Sequence, residues 1–255
     1  MIPFISLTQI HLGPITIYVW GLFVAAGIVA GAWAAERLAT RRGFPAHAVW
    51  DVLTPLVVGG VVGARLFHVL FYNPAYFIRN PLEVFALWHG GMSITGGLIG
   101  AVLLGLWAMR KRGLDVWRFS DTLAFGLPLG QMIGRIGCFL THMHPGTPTE
   151  FILGVRYPDG VIRHDHGLYL SLNGLLLFLV FLFLAKKRVR EGTFLAVFLI
   201  WDGAARFGLD FLRAYDGPVV DERYFGLTPA QYVAVAMIVL GLILVRRRNV
   251  LYSSN

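Results

Sequence analysis

The sequence predicts an all-α integral membrane protein of seven transmembrane helices with a small cap on its outer face. Three observations carry that prediction. Of 255 residues, 56% are hydrophobic and 14% charged, against about 45–50% and about 25% in an ordinary soluble chain. The apolar residues gather into seven runs, each near the ~20 residues a helix needs to cross the hydrocarbon core. The basic residues fall in short clusters at the ends of those runs, which is the pattern of membrane topology rather than of a nucleic-acid surface. A net charge of +8 therefore implies no nucleic-acid partner.

In chain order, residues 1–14, with Pro3, Gly13 and Pro14, read as a short amphipathic lead-in. The first span runs from about Ile15 to Ala35 and is followed by Glu36, Arg37, Arg41 and Arg42. The second, about Val52 to Phe71, contains Pro55, Arg65 and His68. A polar and aromatic connector over 73–90 leads to a glycine-rich third span, about Gly91 to Met109, closed by Arg110, Lys111 and Arg112. The fourth runs from Asp121 to Thr141. Residues 142–167 form the one sizeable extramembrane segment, with a short strand expected over Phe151–Tyr157 and histidines at 142, 144, 164 and 166. The fifth span, about Leu168 to Ala185, ends in Lys186, Lys187, Arg188 and Arg190. The sixth runs from about Thr193 to Leu212, and the seventh, about Pro229 to Val245, ends in Arg246, Arg247 and Arg248. The clusters after spans one, three, five and seven hold thirteen of the twenty-two Lys and Arg residues, and all face one side if every span crosses. By the positive-inside rule that side is the cytoplasm, which puts the amino terminus and the 142–167 cap outside. Residues 1–255 read as one membrane domain, without internal repeats and with no removable signal peptide. The single cysteine, Cys138, excludes an intrachain disulfide framework and a cysteine-cluster metal site.

The chemistry is expected where polar residues interrupt apolar spans. Arg65, Arg135 and Arg206 each sit inside one. A guanidinium at that depth costs roughly 2.5–3.5 kcal/mol on the insertion scale and needs an anion or a wet cavity. Its planar fork suits phosphate or carboxylate. The bland alternative is internal pairing: Arg135 with Asp121, Asp202 or Asp210, and a ladder of Asp202, Arg206, Asp210 and Arg213 along one helical face. On the fourth span Gly126, Gly130 and Gly134 share a face that lets another helix backbone approach, beside a stripe of Arg135, Cys138 and His142. The loop from Trp88 to Gly100 places Ser93, Thr95, Gly96 and Gly97 at a helix N-terminus, which fits either anion binding or capping and close packing. The histidine pairs 142/144 and 164/166 fit acid–base work, metal binding or plain solvation. No metal is assigned to them.

Taken in order, Tyr18-x-Trp20-Gly21, Gly63-Ala-Arg-Leu66, Phe71-Tyr-Asn73, Gly90-Gly-Met-Ser-Ile-Thr-Gly-Gly97, Gly134-Arg-Ile-Gly-Cys-Phe-Leu140 and Arg206-Phe-Gly-Leu-Asp-Phe-Leu-Arg213 resemble the bacterial phosphatidylglycerol–prolipoprotein diacylglyceryl transferase family over nearly the whole chain. The resemblance implies an inner-membrane enzyme with its amino terminus outside and carboxyl terminus in the cytoplasm. It implies transfer of the diacylglyceryl group of phosphatidylglycerol to a lipobox cysteine thiol in a prolipoprotein signal peptide, releasing glycerol 1-phosphate without a cofactor. Arg135 and Arg206 match the family's essential arginines and Tyr18 an important tyrosine, while Arg65, Asp121, Asp210 and Arg213 fall on family positions. The chain departs from the family at Cys138, Thr141 and Met143, where asparagine, asparagine and glutamate are usual, and at Thr95, where histidine is usual. The stretch His164-Asp-His-Gly-Leu-Tyr-Leu170 keeps His164 and Tyr169 and lacks the glutamate. His142 and His164 are therefore the candidates for the base. A lipid-dependent transferase with another acceptor, and a non-enzymatic lipid- or anion-binding membrane protein, are the alternative readings.

Overall fold

In the computed structural model the chain divides into two units, Met1–Ala35 with Ser120–Asn255, and Glu36–Phe119. The structure describes residues 1–72, 74–187, 189–214 and 223–251. Asn73 and Arg188, which enter the sequence reading above, lie outside the described residues.

The first unit opens with strands, where the sequence reading expected a lead-in and the start of a span. Strand β1 is Ile2–Pro3, and β2 (Gln9–Leu12) pairs with β3 (Ile15–Tyr18) as an antiparallel hairpin, Leu12 opposite Ile15. Ile15, Thr16, Ile17 and Tyr18 are β-branched or aromatic, and the turn between the strands contains Gly13 at φ +62°, a left-handed backbone that suits glycine. Helix α1 therefore begins at Val19 and runs to Arg41.

Helices α5 (Val116–Ala124) and α6 (Leu127–Thr141) occupy the predicted fourth span, bent by 42° at their junction. Pro128 explains the break: it has no N–H to give, so it sits where a new helix starts. The three glycines predicted to form a close-packing face meet α1, with Gly126 against the Gly31 carbonyl, Gly130 against the Gly27 carbonyl and Gly134 against Val24. Strands β4 (Pro145–Pro148), β5 (Val155–Arg156) and β6 (Ile162–Asp165) join β1 in a sheet of order β1-β5-β6-β4, with Ile2 opposite Val155 in the parallel pair. The strand expected over Phe151–Tyr157 is confined to its last part, because the hydrogen bond from Gly154 N to Phe151 O closes a turn before it.

Helix α7 (His166–Ala185) packs on α6. Gly167 lies against the backbone of Cys138 and Phe139, Gly174 against Met132 and Pro128, and Ser171 Oγ donates to Met132 O at 2.9 Å. Helix α8 (Thr193–Leu209) continues as a 3-10 turn over Asp210–Leu212, and packs on α9 (Pro229–Leu251) through Gly203 and Gly241. Thr228 and Gln231 form a reciprocal cap at the start of α9: Thr228 N donates to Gln231 Oε1 at 3.0 Å and Gln231 N to Thr228 Oγ1 at 3.2 Å. Phe125 stacks on Phe181, and Phe194 meets both rings edge-on, in the buried core.

The second unit is built on α2 (Ala48–Phe71), α3 (Pro74–Arg79) and α4 (Ile94–Lys111), with 3-10 turns at Pro81–Phe85 and Leu87–His89. Helices α2 and α4 touch backbone to backbone: Gly59 and Gly63 face Gly96 and Gly100 so closely that a Cβ on any of them would overlap the opposite chain. In lipid, where apolar side chains gain nothing from leaving the solvent, such close approach is what holds helices together.

Among the described residues four helices are long and apolar enough to cross a membrane: Val19–Arg41, Ala48–Phe71, His166–Ala185 and Pro229–Arg246. The bent pair α5 and α6 makes a fifth if it is one span. The other two predicted spans are helical as α4 and α8, with 18 and 17 residues. They reach about 27 and 26 Å, a few ångströms less than a ~30 Å hydrocarbon core.

Gly100→Val tests the α2–α4 contact. Overpacking of this kind costs about 1–3 kcal/mol, so thermal melting in detergent should fall by several degrees. Gly21→Ala, whose added Cβ meets nothing within 4 Å, should melt as the wild type. Equal melting of Gly100→Val and the wild type would reject backbone contact at this position.

Candidate functional site

Arg135 lies in the middle of α6, half-buried, with its Nη1 4.0 Å from Cys138 Sγ. Its electrostatic neighbours are Cys138, Arg206 on α8 and Asp202 one turn before Arg206. Asp202 is the one of the three aspartates named in the pairing alternative that lies near Arg135, and its hydrogen bonds go elsewhere. Its Oδ1 accepts from Gln131 Nε2 at 2.7 Å and from Asn173 Nδ2 at 3.2 Å. Asn173 Oδ1 in turn accepts from Trp201 Nε1 at 3.0 Å. This network ties α6, α7 and α8 together through neutral donors. Among the described residues neither Arg135 nor Arg206 has a carboxylate within ion-pair distance. The unit thus brings two like charges near each other on two apolar helices, an arrangement that favours a bound anion.

The predicted ladder on α8 reduces to one pair. Asp210, buried, lies with Oδ1 3.6 Å from Arg213 Nη1 and accepts the Thr228 hydroxyl at Oδ2. Arg213 Nη2 is 3.2 Å from His144 Nδ1, and its backbone bridges to Gly146. Asp121 is fully buried and accepts the Leu195 N–H at 2.8 Å. It therefore sits at the positive, N-terminal end of α8, where a carboxylate is stabilised. Cys138 is buried on the α7 side of α6, and Tyr18 is exposed at the end of β3.

The four histidines of 142–167 take four separate partners. His142 Nδ1 is 2.8 Å from Asp165 Oδ2, His144 meets Arg213, His164 Nδ1 is 2.7 Å from the Tyr169 hydroxyl, and His166 Nε2 donates to Leu209 O at 2.7 Å. Among the described residues no group of three His, Cys, Asp or Glu side chains is placed to hold a metal ion. Burial pushes the His164 imidazole below its ordinary value, so it is neutral at pH 7. His142 caps the C-terminus of α6 with φ +45°. That left-handed conformation costs a non-glycine residue roughly 1–2 kcal/mol, and such strain marks sites where the surroundings over-determine a side chain. The sequence carries no signal for a role of Tyr157 or Asn173. Asp165 alone left a trace there, between His164 and His166, but nothing in the chain order pairs it with a residue 23 positions earlier.

In the second unit Arg65 is buried, 5% exposed, and its five N–H groups are fully used. Nε donates to Val84 O at 3.0 Å, Nη1 to the Gly90 and Gly91 carbonyls, and Nη2 to the Glu83 and Ala86 carbonyls. Its face also lies over Phe77. The guanidinium knots the 83–91 loop onto α2. Ser93, buried, caps α4 by accepting the Gly96 N–H at 3.5 Å, while Thr95 is exposed. Gly96 presses on Gly63 and Phe67, and Gly97 on Gly60 and Ala64, so close packing accounts for both glycines.

The family model described as prolipoprotein diacylglyceryl transferase matches residues 8–247. The phosphatidylglycerol–prolipoprotein diacylglyceryl transferase of Geobacillus kaustophilus strain HTA426 is 36% identical over 246 residues, covering 92% of this chain and 89% of its own. The enzymes of the same name from Wolbachia sp. subsp. Drosophila simulans strain wRi and Nitratidesulfovibrio vulgaris strain DP4 are each 34% identical. They cover 91% and 96% of this chain, and 90% and 95% of their own.

Arg65→Met leaves at least two loop carbonyls unpaired, at about 1–3 kcal/mol each. It should destabilise the protein by about 3 kcal/mol, read as a lower melting temperature and faster proteolysis within 83–91. Arg65→Lys, with three donors in place of five, should recover only part. Wild-type melting of Arg65→Met would show that the loop does not depend on this side chain.

Proposed function

The chain belongs to the prolipoprotein diacylglyceryl transferase family, and from that premise we propose that it moves the diacylglyceryl group of phosphatidylglycerol onto the thiol of a lipobox cysteine in an exported precursor, releasing glycerol 1-phosphate. The observation that carries the reading is the pair Arg135 and Arg206, half-buried in a membrane helix unit and lacking a carboxylate partner among the described residues. The lipid phosphate is the anion they await. Held by two guanidiniums, it binds through charge-assisted hydrogen bonds. As the glyceryl carbon is attacked, negative charge grows on the phosphate oxygen that leaves, and the same two groups stabilise it where it develops.

The remaining residues take supporting roles in this reading. Asp202, Gln131 and Asn173 keep α6, α7 and α8 in register around the arginines. Asp210 and Arg213 fasten the end of α8 to the 142–167 segment. Tyr18 and Cys138 contact the substrate, and Asp121 positions α8. In the second unit Arg65, Ser93, Gly96 and Gly97 shape the 83–100 region, on which Thr95 is exposed. The thiol needs a base to become a nucleophile, and His142 and His164 are the two candidates, with Tyr169 beside His164. We place seven spans in a bacterial inner membrane, with the amino terminus and the 142–167 cap outside and the carboxyl terminus in the cytoplasm, on the strength of the four basic clusters. No cofactor takes part.

Purified protein in nanodiscs with labelled phosphatidylglycerol and a lipobox peptide should yield diacylglyceryl peptide and glycerol 1-phosphate in equal amounts. Arg135→Ala and Arg206→Ala should each lower the rate by at least about 100-fold, the scale of losing one group that stabilises developing charge. Retention of wild-type rates by both variants would reject the phosphate grip.

A further inference from the structure

Three donors converge on the carboxylate of Asp165, which is 1% exposed. Oδ1 accepts the Leu168 N–H at 3.0 Å, capping α7, and Oδ2 accepts the Tyr157 hydroxyl at 3.1 Å. Burial and the carboxylate itself raise the Tyr157 phenol far above its ordinary value, so Tyr157 is protonated and donates. The third contact is His142 Nδ1, 2.8 Å from Oδ2. An ionised carboxylate only accepts, so Nδ1 carries the hydrogen, and a neutral imidazole with N–H at Nδ1 has its lone pair at Nε2. His142 Nε2 is buried and has no hydrogen-bond partner among the described residues.

The ring is fixed on its other sides as well. Phe4 stacks on it at 4.2 Å, the Phe139 and Tyr157 rings meet it edge-on at 5.4 Å, and its backbone is held left-handed at the end of α6. This is an imidazole with a set orientation in an apolar cage, its Nδ1 hydrogen fixed by the carboxylate and its Nε2 left unanswered. His164 lacks that arrangement, because its Nδ1 meets a hydroxyl that can donate or accept and so selects neither tautomer.

On the transferase reading above, we propose that Asp165 is a positioning residue that holds His142 in the tautomer whose Nε2 takes the proton of the acceptor thiol. In that step the S–H proton passes to Nε2 and the sulfur electron pair forms the C–S bond to the glyceryl carbon. The C–O bond to phosphate breaks, with its electron pair leaving on the oxygen of glycerol 1-phosphate. The imidazolium then returns its proton to the released phosphate or to solvent. Histidine and aspartate divide the work as in other base–orienter pairs, where the carboxylate fixes the ring and is not itself protonated.

Asp165→Asn separates positioning from structure. The amide keeps an oxygen for the Leu168 N–H and nearly the same volume, but offers N–H to His142 Nδ1 and so moves the ring hydrogen to Nε2. In nanodiscs with phosphatidylglycerol and lipobox peptide, kcat should fall by at least about 100-fold, as expected for the wrong tautomer. KM for the lipid and the melting temperature should stay close to wild type. Nitrogen-15 spectra of histidine-labelled protein should show His142 protonated at Nδ1 in the wild type and at Nε2 in the variant. A kcat within threefold of wild type, or wild-type His142 protonated at Nε2, would overturn the proposal, and the spectra of the wild type decide it even if the variant fails to fold. Absence of product from the wild-type protein would instead overturn the transferase reading, and the thiol assignment with it.

Discussion

A charge inside lipid must be met by something, and the way this chain meets each of its charges orders the rest of the structure. Arg65 is answered by backbone carbonyls, which turns an irregular connector into a fixed loop. Asp202 is answered by the side-chain amides of two neighbouring helices, and Asp210 by a threonine and an arginine. Those solutions are complete within the fold. Arg135 and Arg206 are the exceptions: among the described residues neither has a carboxylate within ion-pair distance, and Asp202, the carboxylate near Arg135, is hydrogen-bonded by neutral donors. A cation without an ion-pair partner in an apolar setting costs several kcal/mol, which the Asp202 charge near Arg135 offsets in part; a bound anion between the two guanidiniums would offset the rest.

The glycines do the complementary work. Gly27 and Gly31 let α1 lie directly on α6, which carries Arg135, and Gly167 and Gly174 do the same for α7. With backbones this close, the polar side chains between the helices have short, defined reaches. That is why Gln131, Asn173 and Asp202 find one another across three helices, and why Asp202 is not available to the arginines. The helix contacts and the absence of an ion-pair partner for the arginines are thus two consequences of the same small-residue spacing.

Most of the helical frame was legible in the sequence because hydropathy and basic clusters report directly on the bilayer. The departures came where local chemistry overrides hydropathy. Ile15, Thr16, Ile17 and Tyr18 are apolar enough to count toward a span, yet alternation beside the Gly13 turn makes them a strand. Pro128 breaks a run whose composition reads as continuous. At the candidate site the unusual arginines stood out singly, as did the histidines, because an isolated residue of the wrong polarity is visible in one dimension. Their partners were not. Asp165 serves His142 from 23 positions away and Thr228 serves Asp210 from 18, and only the fold brings such pairs together. The same holds for the Arg65 loop, since backbone carbonyls leave no mark in a sequence. The departures from the family pattern at Cys138, Thr141 and Met143 gain a physical context here. They cluster around the end of α6, beside the strained His142 and its buried carboxylate partner.

The central claim is that Arg135 and Arg206 together grip a phospholipid phosphate. Cryo-electron microscopy of the protein in nanodiscs of phosphatidylglycerol tests it most directly. The account expects density for a lipid head whose phosphate oxygens lie about 3 Å from both guanidiniums, with Asp202 still bound by Gln131 and Asn173. A lipid phosphate bound away from both arginines, with either guanidinium turned onto Asp202, would contradict it.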